Sequence, residues 1–274
     1  MLDVSCVQMK PKLGDFQVNL SRMEQFVREI VLARPDTNLI VFPELITSGY
    51  ENTKEEFAKL AEKIDLSSDS INRMSALCVA HKLNIVYGLP EAAPDISALY
   101  YNSMVMLGED GSILGSYRKV HPFDTEKVWC RPGNEIKAFD TPFGRVGMMI
   151  CWDAAFPEIS RIYALQGAEL LIVSTNWENP YSEDWDLLTR ARAFDNTLHL
   201  ISANRIGRDK ELSFFGHSNI ISPVGKVITS LDEEAEGIIH AKLDLSTTAQ
   251  LREEYYTFFK DRQPWCYKEL TKEY

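Results

Sequence analysis

The sequence predicts an α/β fold in which two mixed β-sheets are flanked by helices, giving a four-layer αββα sandwich. Three observations support this prediction. The first half of the chain begins with strand, helix and strand, the second half repeats that order, and a short Glu109-Asp110-Gly111 turn joins two strands between them. Alternating strands and helices are typical of sheets covered by helices, and a turn this short makes its two strands antiparallel, so the sheet is mixed.

The first half of the chain supplies the first predicted sheet. Residues 2–8 alternate like a strand, residues 19–33 carry apolar side chains at the spacing of one helix face, and residues 38–42 form a short apolar strand. Two helices and three strands are expected next: helices at residues 53–64 and 70–82, and strands at residues 84–89, 101–107 and 112–119.

The second half of the chain supplies the second predicted sheet. Its strands are predicted at residues 145–150, 170–174 and 199–203, its helices at residues 156–166 and 184–196, and three late strands at residues 218–221, 227–230 and 238–243. No Pro/Gly/Ser-rich linker divides the chain, so we predict one domain over residues 1–274. Aromatic residues crowd positions 251–267, which makes this last segment too apolar to be left in water.

Composition limits the classes of function. The chain has 274 residues, 45% of them hydrophobic, and a formal net charge of −11, which argues against nucleic acid or an acidic membrane surface as a partner and favours a small-molecule substrate. We expect no signal peptide or membrane span, because no apolar run approaches the roughly 20 residues that a span needs. Five cysteines without CxxC pairs predict free thiols in a reducing compartment, the cytoplasm. Without HExxH, P-loop or GxGxxG motifs, we expect neither metal nor nucleotide cofactor.

Three residues that can carry chemistry stand at the ends of predicted strands. Cys151 follows an apolar strand and precedes a segment predicted to turn into a helix, a setting that favours a thiolate. Glu44 also follows an apolar strand, where burial would raise its pKa and suit it as a general base. Lys119 closes a third strand. Taken singly, each has an ordinary alternative: a packed core cysteine, a surface glutamate and a solvated lysine.

Three separate motifs, in the right order, resemble the nitrilase superfamily of carbon–nitrogen hydrolases. They are Phe42-Pro43-Glu44-Leu45, Tyr117-Arg118-Lys119-Val120-His121-Pro122-Phe123, and Gly147-Met148-Met149-Ile150-Cys151-Trp152-Asp153 followed by Phe156-Pro157-Glu158. Further agreement comes at Arg131-Pro132-Gly133, at Arg190-Ala191-Arg192-Ala193 followed by Asn196, and at Ala203-Asn204-Arg205-Ile206-Gly207. The resemblance, over residues 4–243, implies a single carbon–nitrogen hydrolase domain whose C-terminal tail, residues 246–274, lies at the interface of a homodimer or higher homo-oligomer.

The resemblance also implies a catalytic triad of Glu44, Lys119 and Cys151, with Glu126 as a fourth residue that orients the substrate or the lysine. In this scheme the Lys119 ammonium and the backbone N–H of Trp152 hold the oxyanion. For Glu126, a plain helix-start carboxylate is the alternative. The Cys-Trp-Asp and Phe-Pro-Glu stretches resemble the amidase and carbamoylase branches, so the resemblance favours a small amide over a nitrile, with N-carbamoyl compounds and nitriles as alternative substrates.

The predicted substrate-binding residues lie beyond the predicted nucleophile and the next strand. We predict that Asn176, Trp177 and Tyr181 line the acyl pocket, with packing as the alternative role for each, and that Trp152 is a further substrate-binding residue. Arg190 and Arg192 are candidates for binding a substrate carboxylate, and packing or ion pairing is the alternative role for each.

Two further hypotheses follow from other features. His121 could form a Cys-His pair, but it lies two positions from Lys119, so we expect a structural role. A non-catalytic scaffold that uses the aromatic tail as a partner interface is the alternative from another class, although a scaffold has no need of Glu44 and Lys119.

Overall fold

The computed structural model describes residues 1–272, and its strands and helices follow the predicted order closely. The strands are β1 (Leu2–Gln8), β2 (Leu39–Val41), β3 (Asn84–Ala92), β4 (Tyr100–Leu107), β5 (Ile113–Arg118), β6 (Phe139–Thr141), β7 (Gly144–Ile150), β8 (Leu170–Thr175), β9 (His199–Asn204), β10 (Ile206–Arg208), β11 (Ser213–Phe215), β12 (Ser218–Ile221), β13 (Val227–Leu231) and β14 (Gly237–Leu243). The helices are α1 (Phe16–Ala33), α2 (Lys54–Leu60), α3 (Asp69–His81), α4 (Glu126–Trp129), α5 (Pro157–Leu165), α6 (Ser182–Asn196) and α7 (Ser246–Glu254).

Within residues 1–272 twelve strands form two six-stranded sheets of matching design, and β10 and β11 pair in a separate two-stranded antiparallel sheet. The first has the order β14-β1-β2-β3-β4-β5 and the second the order β13-β12-β9-β8-β7-β6. Each has three parallel strands at its centre, β1-β2-β3 in one and β7-β8-β9 in the other, with antiparallel strands on both sides. Parallel strands joined by helices have their carboxyl ends at one edge, and that edge is where ligands bind in such sheets.

Helices cover the outer faces of both sheets, while the inner faces pack together. Side chains of α1 and α3, such as Leu20 and Met74, join one apolar cluster with the first sheet. Residues of α5 and α6 join a second cluster that contains strands of both sheets. Contacts of β1 with β9 and of β4 with β7 bring the sheets face to face. The predicted four-layer αββα sandwich of two mixed sheets is confirmed.

The sequence prediction missed four short elements and the nine-residue helix α7, which lies in the segment predicted only as a C-terminal tail. Helix α4 and strands β6, β10 and β11 have only three or four residues, too few for a period to show. A 3₁₀ turn over Cys151–Ala155 also intervenes before α5, which begins at Pro157. Among residues 1–272, none of the helices combines the length and the hydropathy that a membrane crossing requires.

The C-terminal tail is only partly covered by the rest of the chain. Phe259 packs against the larger apolar cluster, with Arg161 and Arg252 lying 4.9 and 4.8 Å from its ring centroid. Tyr255 and Trp265 remain 75% and 67% exposed. The described part of the tail ends at residue 272, and residues 273–274 of the predicted interface segment lie outside the described residues. Its place at an interface stays a prediction.

Candidate active site

The four residues predicted to be catalytic come together at the strand ends where the two sheets meet. Glu44 lies three residues past β2, Lys119 directly follows β5, Glu126 begins α4, and Cys151 directly follows β7. All four are at least 94% buried. Cys151 lines a cavity of about 310 Å³, and the residues that share its walls include the aromatic side chains Tyr50, Phe123, Trp152, Trp177 and Tyr181.

Lys119 lies between two carboxylates. Its Nζ is 2.9 Å from Oε1 of Glu44 and 2.6 Å from Oε1 of Glu126, and all three side chains are at most 1% exposed. Burial alone would lower the pKa of Lys119, but the charges of Glu126 and Glu44 outweigh it and raise that pKa well above its ordinary value. The lysine is therefore a fixed ammonium in a site largely shielded from water.

Hydrogen bonds from residues of both sheets hold the Glu44 carboxylate in place. Its Oε1 accepts a hydrogen bond from Asn102 Nδ2 at 2.7 Å, and its Oε2 accepts one from the backbone N–H of Asn176 at 2.8 Å. Burial raises the pKa of Glu44, and Lys119 opposes that rise only in part. This is the direction expected from the sequence, and it suits a carboxyl that both accepts and returns a proton near neutrality.

The approach of Glu44 to the first sheet depends on a glycine. A Cβ on Gly88 in β3 would lie 2.6 Å from the Cα of Glu44 and from the backbone nitrogen of Leu45. A larger residue at this position would displace the Glu44 backbone.

Glu126 is positioned by contacts that the sequence analysis did not identify. The Tyr50 hydroxyl donates to its Oε1 at 2.8 Å, and the backbone N–H of Phe123 donates to its Oε2 at 3.1 Å. Tyr50 and Asn102 were not among the predicted site residues. Tyr50 follows Glu44 by six residues on the same loop, so its place near a strand end was the available signal.

The backbone of Cys151 is strained and is supported from beneath. Its φ of 46° is in the left-handed region, which a side chain makes costly. The Asp153 carboxylate accepts hydrogen bonds from the backbone N–H of Ile150 at 3.1 Å and from the Tyr117 hydroxyl at 2.8 Å. His121 Nδ1 lies 2.9 Å from the same carboxylate, a structural contact rather than a Cys-His pair. Asp153 thus anchors the turn that presents the thiol.

The expected stabilisation of a thiolate at Cys151 is wrong. Burial raises the pKa of this thiol, and the charge of Glu44 raises it further, while Lys119 only partly opposes them. The physical reason lies in the chain path, because the five-residue 3₁₀ turn separates Cys151 from the N-terminus of α5. The resting residue is a thiol that needs a base.

The structure separates the predicted substrate-binding residues into two groups. Trp152, Asn176, Trp177 and Tyr181 line the cavity. Arg190 does not: it lies on the exposed side of α6, where its Nε donates to the Gly225 carbonyl at 3.1 Å.

Arg192, the other candidate for a substrate carboxylate, is also occupied elsewhere. Its Nε donates to the Ala154 carbonyl at 2.9 Å, so it supports the underside of the 3₁₀ turn. The spacing of Arg190 and Arg192 on α6 does not indicate which face of the helix lies toward the cavity. No group of three His, Cys, Asp or Glu residues placed to hold a metal ion occurs in the described part of the chain.

Comparison with known proteins supports the same assignment. A sequence model of the family described as carbon–nitrogen hydrolase matches residues 3–253. Curated relatives include a Schizosaccharomyces pombe protein named as a probable nitrilase, 52% identical over 98% of both chains. An omega-amidase of Saccharomyces cerevisiae is 31% identical, covering 92% of this chain and 90% of its own. An N-carbamoylputrescine amidase of Arabidopsis thaliana is 31% identical, covering 93% of this chain and 91% of its own.

A solved structure extends the similarity to the whole fold. The carbon–nitrogen hydrolase from Helicobacter pylori aligns with a TM-score of 0.90 at 28% identity, covering 99% of this chain and 98% of its own. The sandwich, the converging strand ends and the family match over residues 3–253 agree. The chain belongs to the carbon–nitrogen hydrolases of the nitrilase superfamily.

Proposed function

We propose that this enzyme hydrolyses the C–N bond of a small linear amide through a thioester on Cys151, releasing ammonia and a carboxylic acid. The observation that carries the proposal is the arrangement of Lys119 between Glu44 and Glu126 beside a buried thiol that opens into a cavity. A raised thiol pKa makes a base necessary, and Glu44, with its raised pKa, is the carboxyl able to serve.

In the first half-reaction Glu44 takes the Cys151 proton as sulfur bonds to the amide carbon. The Lys119 ammonium and the Trp152 backbone N–H, which lies in the first turn of the 3₁₀ segment, hold the oxyanion. The tetrahedral intermediate then collapses, the C–N bond breaks, and Glu44 transfers its proton to the departing ammonia. A thioester remains on Cys151.

In the second half-reaction Glu44 takes a proton from water, and the resulting hydroxide attacks the thioester carbon. The C–S bond then breaks, and Glu44 returns the proton to the sulfur. One carboxyl thus serves both halves, and its two hydrogen bonds from Asn102 and Asn176 keep it in one place throughout. Glu126 fixes the lysine and is a positioning residue.

An N-carbamoyl compound is the second candidate substrate, supported by the similarity to an N-carbamoylputrescine amidase. Its carbamoyl group would release carbon dioxide together with ammonia, whereas a simple amide gives ammonia alone. Nitriles are the third candidate, supported by the relative named as a probable nitrilase. The scaffold alternative is disfavoured, because three buried charges are costly to keep unless they have a function.

The test is a screen of short aliphatic amides, ω-amides, amino acid amides, N-carbamoyl compounds and nitriles, with ammonia and carbon dioxide measured together. We expect the wild-type enzyme to release ammonia without carbon dioxide from an amide. The Cys151→Ala variant should release no ammonia. An acyl group found on Cys151 by mass spectrometry of digested, acid-quenched enzyme would support the thioester. Ammonia release by Cys151→Ala at the wild-type rate would exclude it.

Thiol labelling gives a second test against the scaffold alternative. Cys266 is exposed and will react with iodoacetamide, so the experiment needs a Cys266→Ser background. Cys6, Cys78 and Cys130 are buried, and burial raises the pKa of each, to about 12 for Cys78 and Cys130. Cys151 alone of the buried four lines the cavity, so substrate should protect the labelled thiol. Labelling spread evenly over the four buried thiols would favour the scaffold.

A homodimer that covers the C-terminal tail and a cytoplasmic location complete the proposal. The exposed apolar side chains of the tail, Tyr255, Trp265 and Leu270, support burial against a second copy. The five free cysteines are consistent with a reducing compartment. Sedimentation at micromolar concentration should give the dimer mass, and a monomer would contradict it.

A further inference from the structure

Two carboxylates that the sequence analysis did not identify line the cavity. Glu178 and Asp184 share its walls with Cys151. Glu178 is half-buried, and no hydrogen bond or ion pair engages either carboxylate within residues 1–272. Burial raises the pKa of Glu178, and the nearby charges of Asp124 and Glu51 raise it further. This wall of the cavity therefore concentrates negative charge without a cation of its own.

The cations near the site offset this charge only in part, since Lys119 opposes the rise in the pKa of Glu178 without cancelling it. Among the described residues, no Arg, Lys or His lines the cavity. The Lys119 ammonium behind Cys151 is already shared by two carboxylates. The N-terminus of α6, whose partial positive charge would favour an anion, carries Glu183 and Asp184 in its first turn.

Asn176 supplies an independent sign of a polar ligand. It is 2% exposed and lines the cavity, yet its side-chain Oδ1 and Nδ2 have no hydrogen-bond partner among the described residues. Its backbone N–H is committed to Glu44, so the residue is fixed in place. Buried polar groups nearly always have partners, so an unpaired amide on a residue that lines a cavity marks a position where a ligand's polar group can bind.

Building on the proposed function, we infer that the preferred substrate is an amide with an ammonium group at the end distant from the scissile bond. Glu178 and Asp184 attract and bind the ammonium, and Asn176 Oδ1 accepts a hydrogen bond from a substrate N–H. The aromatic faces of Trp152 and Trp177, whose ring centroids are 5.8 Å apart, suit the alkyl chain and favour a nearby cation. The net charge of −11 steers such a substrate toward the enzyme.

The experiment compares three amides of equal chain length: 5-aminopentanamide, pentanamide and glutaramate, which end in ammonium, methyl and carboxylate. We expect kcat/KM to fall in that order, with about a tenfold advantage of the ammonium over the neutral amide, or about 1.4 kcal/mol. Glu178→Gln should reduce this ratio to near one, mainly through KM of the ammonium substrate. Glu178→Lys should reverse the order toward glutaramate, and Asp184→Asn should act like Glu178→Gln with a smaller effect.

Glu183→Gln is the matched control, because it removes one charge from the same first turn of α6 but does not line the cavity. It should change the ratio less than twofold. A wild-type preference for glutaramate, or a ratio that Glu178→Gln leaves unchanged, overturns the inference while the hydrolysis of pentanamide keeps the proposed function intact. Failure to release ammonia from any amide would instead remove the proposed function.

Discussion

Two buried clusters of charge lie close together in this molecule and behave in opposite ways. Arg205 and Asp209 form a one-to-one pair with two parallel contacts of 2.8 and 2.7 Å, and the Asp209 carboxylate also accepts the backbone N–H of Tyr50 at 2.9 Å. Lys119 is instead shared by Glu44 and Glu126. The two clusters therefore differ in the balance of charge.

That balance decides the pKa of each carboxyl. Burial alone would raise the pKa of Asp209, but Arg205 and the backbone donors lower it below its ordinary value. Glu44 shares Lys119 with Glu126, so the lysine only partly opposes the effect of burial, and the pKa of Glu44 is raised. A balanced pair gives a fixed anion that supports a loop, whereas a shared lysine gives a carboxyl that can exchange a proton. The first cluster is structural, and the second suits chemistry.

The largest expected effect comes from removing the shared cation. Lys119→Met should lower kcat by about 10³-fold, because the oxyanion loses its charged donor and two carboxylates lose their partner. Ammonia release gives the rate. Lys127→Met is the control, since it removes a lysine from the exposed side of the short helix α4 and should keep wild-type activity. Equal activity in the two variants would exclude Lys119 from the machinery.

Breaking the balanced pair should affect stability rather than chemistry. Asp209→Asn leaves Arg205 buried without a counter-charge and should lower the free energy of unfolding by about 3 kcal/mol. Asp140→Asn is matched to it, because Asp140 pairs with Arg145 at 2.9 Å on the exposed surface, and such a pair contributes under about 1 kcal/mol. Urea unfolding measures both. Similar losses of unfolding free energy in the two variants would show that the buried Arg205–Asp209 pair contributes no more to stability than the exposed pair.

Removing the charge of Glu126 would leave Lys119 paired with Glu44 alone and should shift the pH dependence of kcat/KM. The charge of Glu126 raises the pKa of Glu44, so Glu126→Gln lowers that pKa and shifts the acidic limb of kcat/KM to lower pH. We also expect about a 100-fold loss of kcat at pH 7, because the lysine loses one of its two anchors. Circular dichroism should show an intact fold. An unmoved limb would mean that Glu44 is not the group that titrates.

The smallest expected effect tests the link between the clusters, which is Tyr50. Its backbone N–H contacts Asp209 and its hydroxyl donates to Glu126. Tyr50→Phe removes only the second contact and should lower kcat about tenfold, the value of one hydrogen bond to a charged group. Tyr255→Phe, at an exposed site, should leave kcat unchanged. Full activity in Tyr50→Phe would show that the hydrogen bond from Tyr50 to Glu126 does not contribute to catalysis.

Periodicity in the sequence predicts the layers, and short motifs point to the four candidate catalytic residues, because both signals are local. Periodicity identifies long helices and strands, and Glu44, Lys119 and Cys151 stand at strand ends within recognisable motifs. The sequence did not predict Glu178 or Asp184, since nothing in a charged residue's neighbours tells which face of a loop meets a cavity. The prediction that Arg190 binds substrate was wrong for the same reason. The prediction of a thiolate at Cys151 was wrong because burial opposes ionisation, and burial depends on packing that no motif records.

The sheet from which each candidate site residue comes also bears on when the site can assemble during synthesis. Glu44 and Lys119 extend from the first sheet and Cys151 from the second, and the hydroxyl of Ser174 in β8 donates to the Phe42 carbonyl beside Glu44 at 2.7 Å. The first sheet is itself incomplete until β14, near the end of the chain, pairs with β1. We therefore expect the proposed base and nucleophile to reach their native arrangement only after the chain has been made as far as β14, which ends at Leu243.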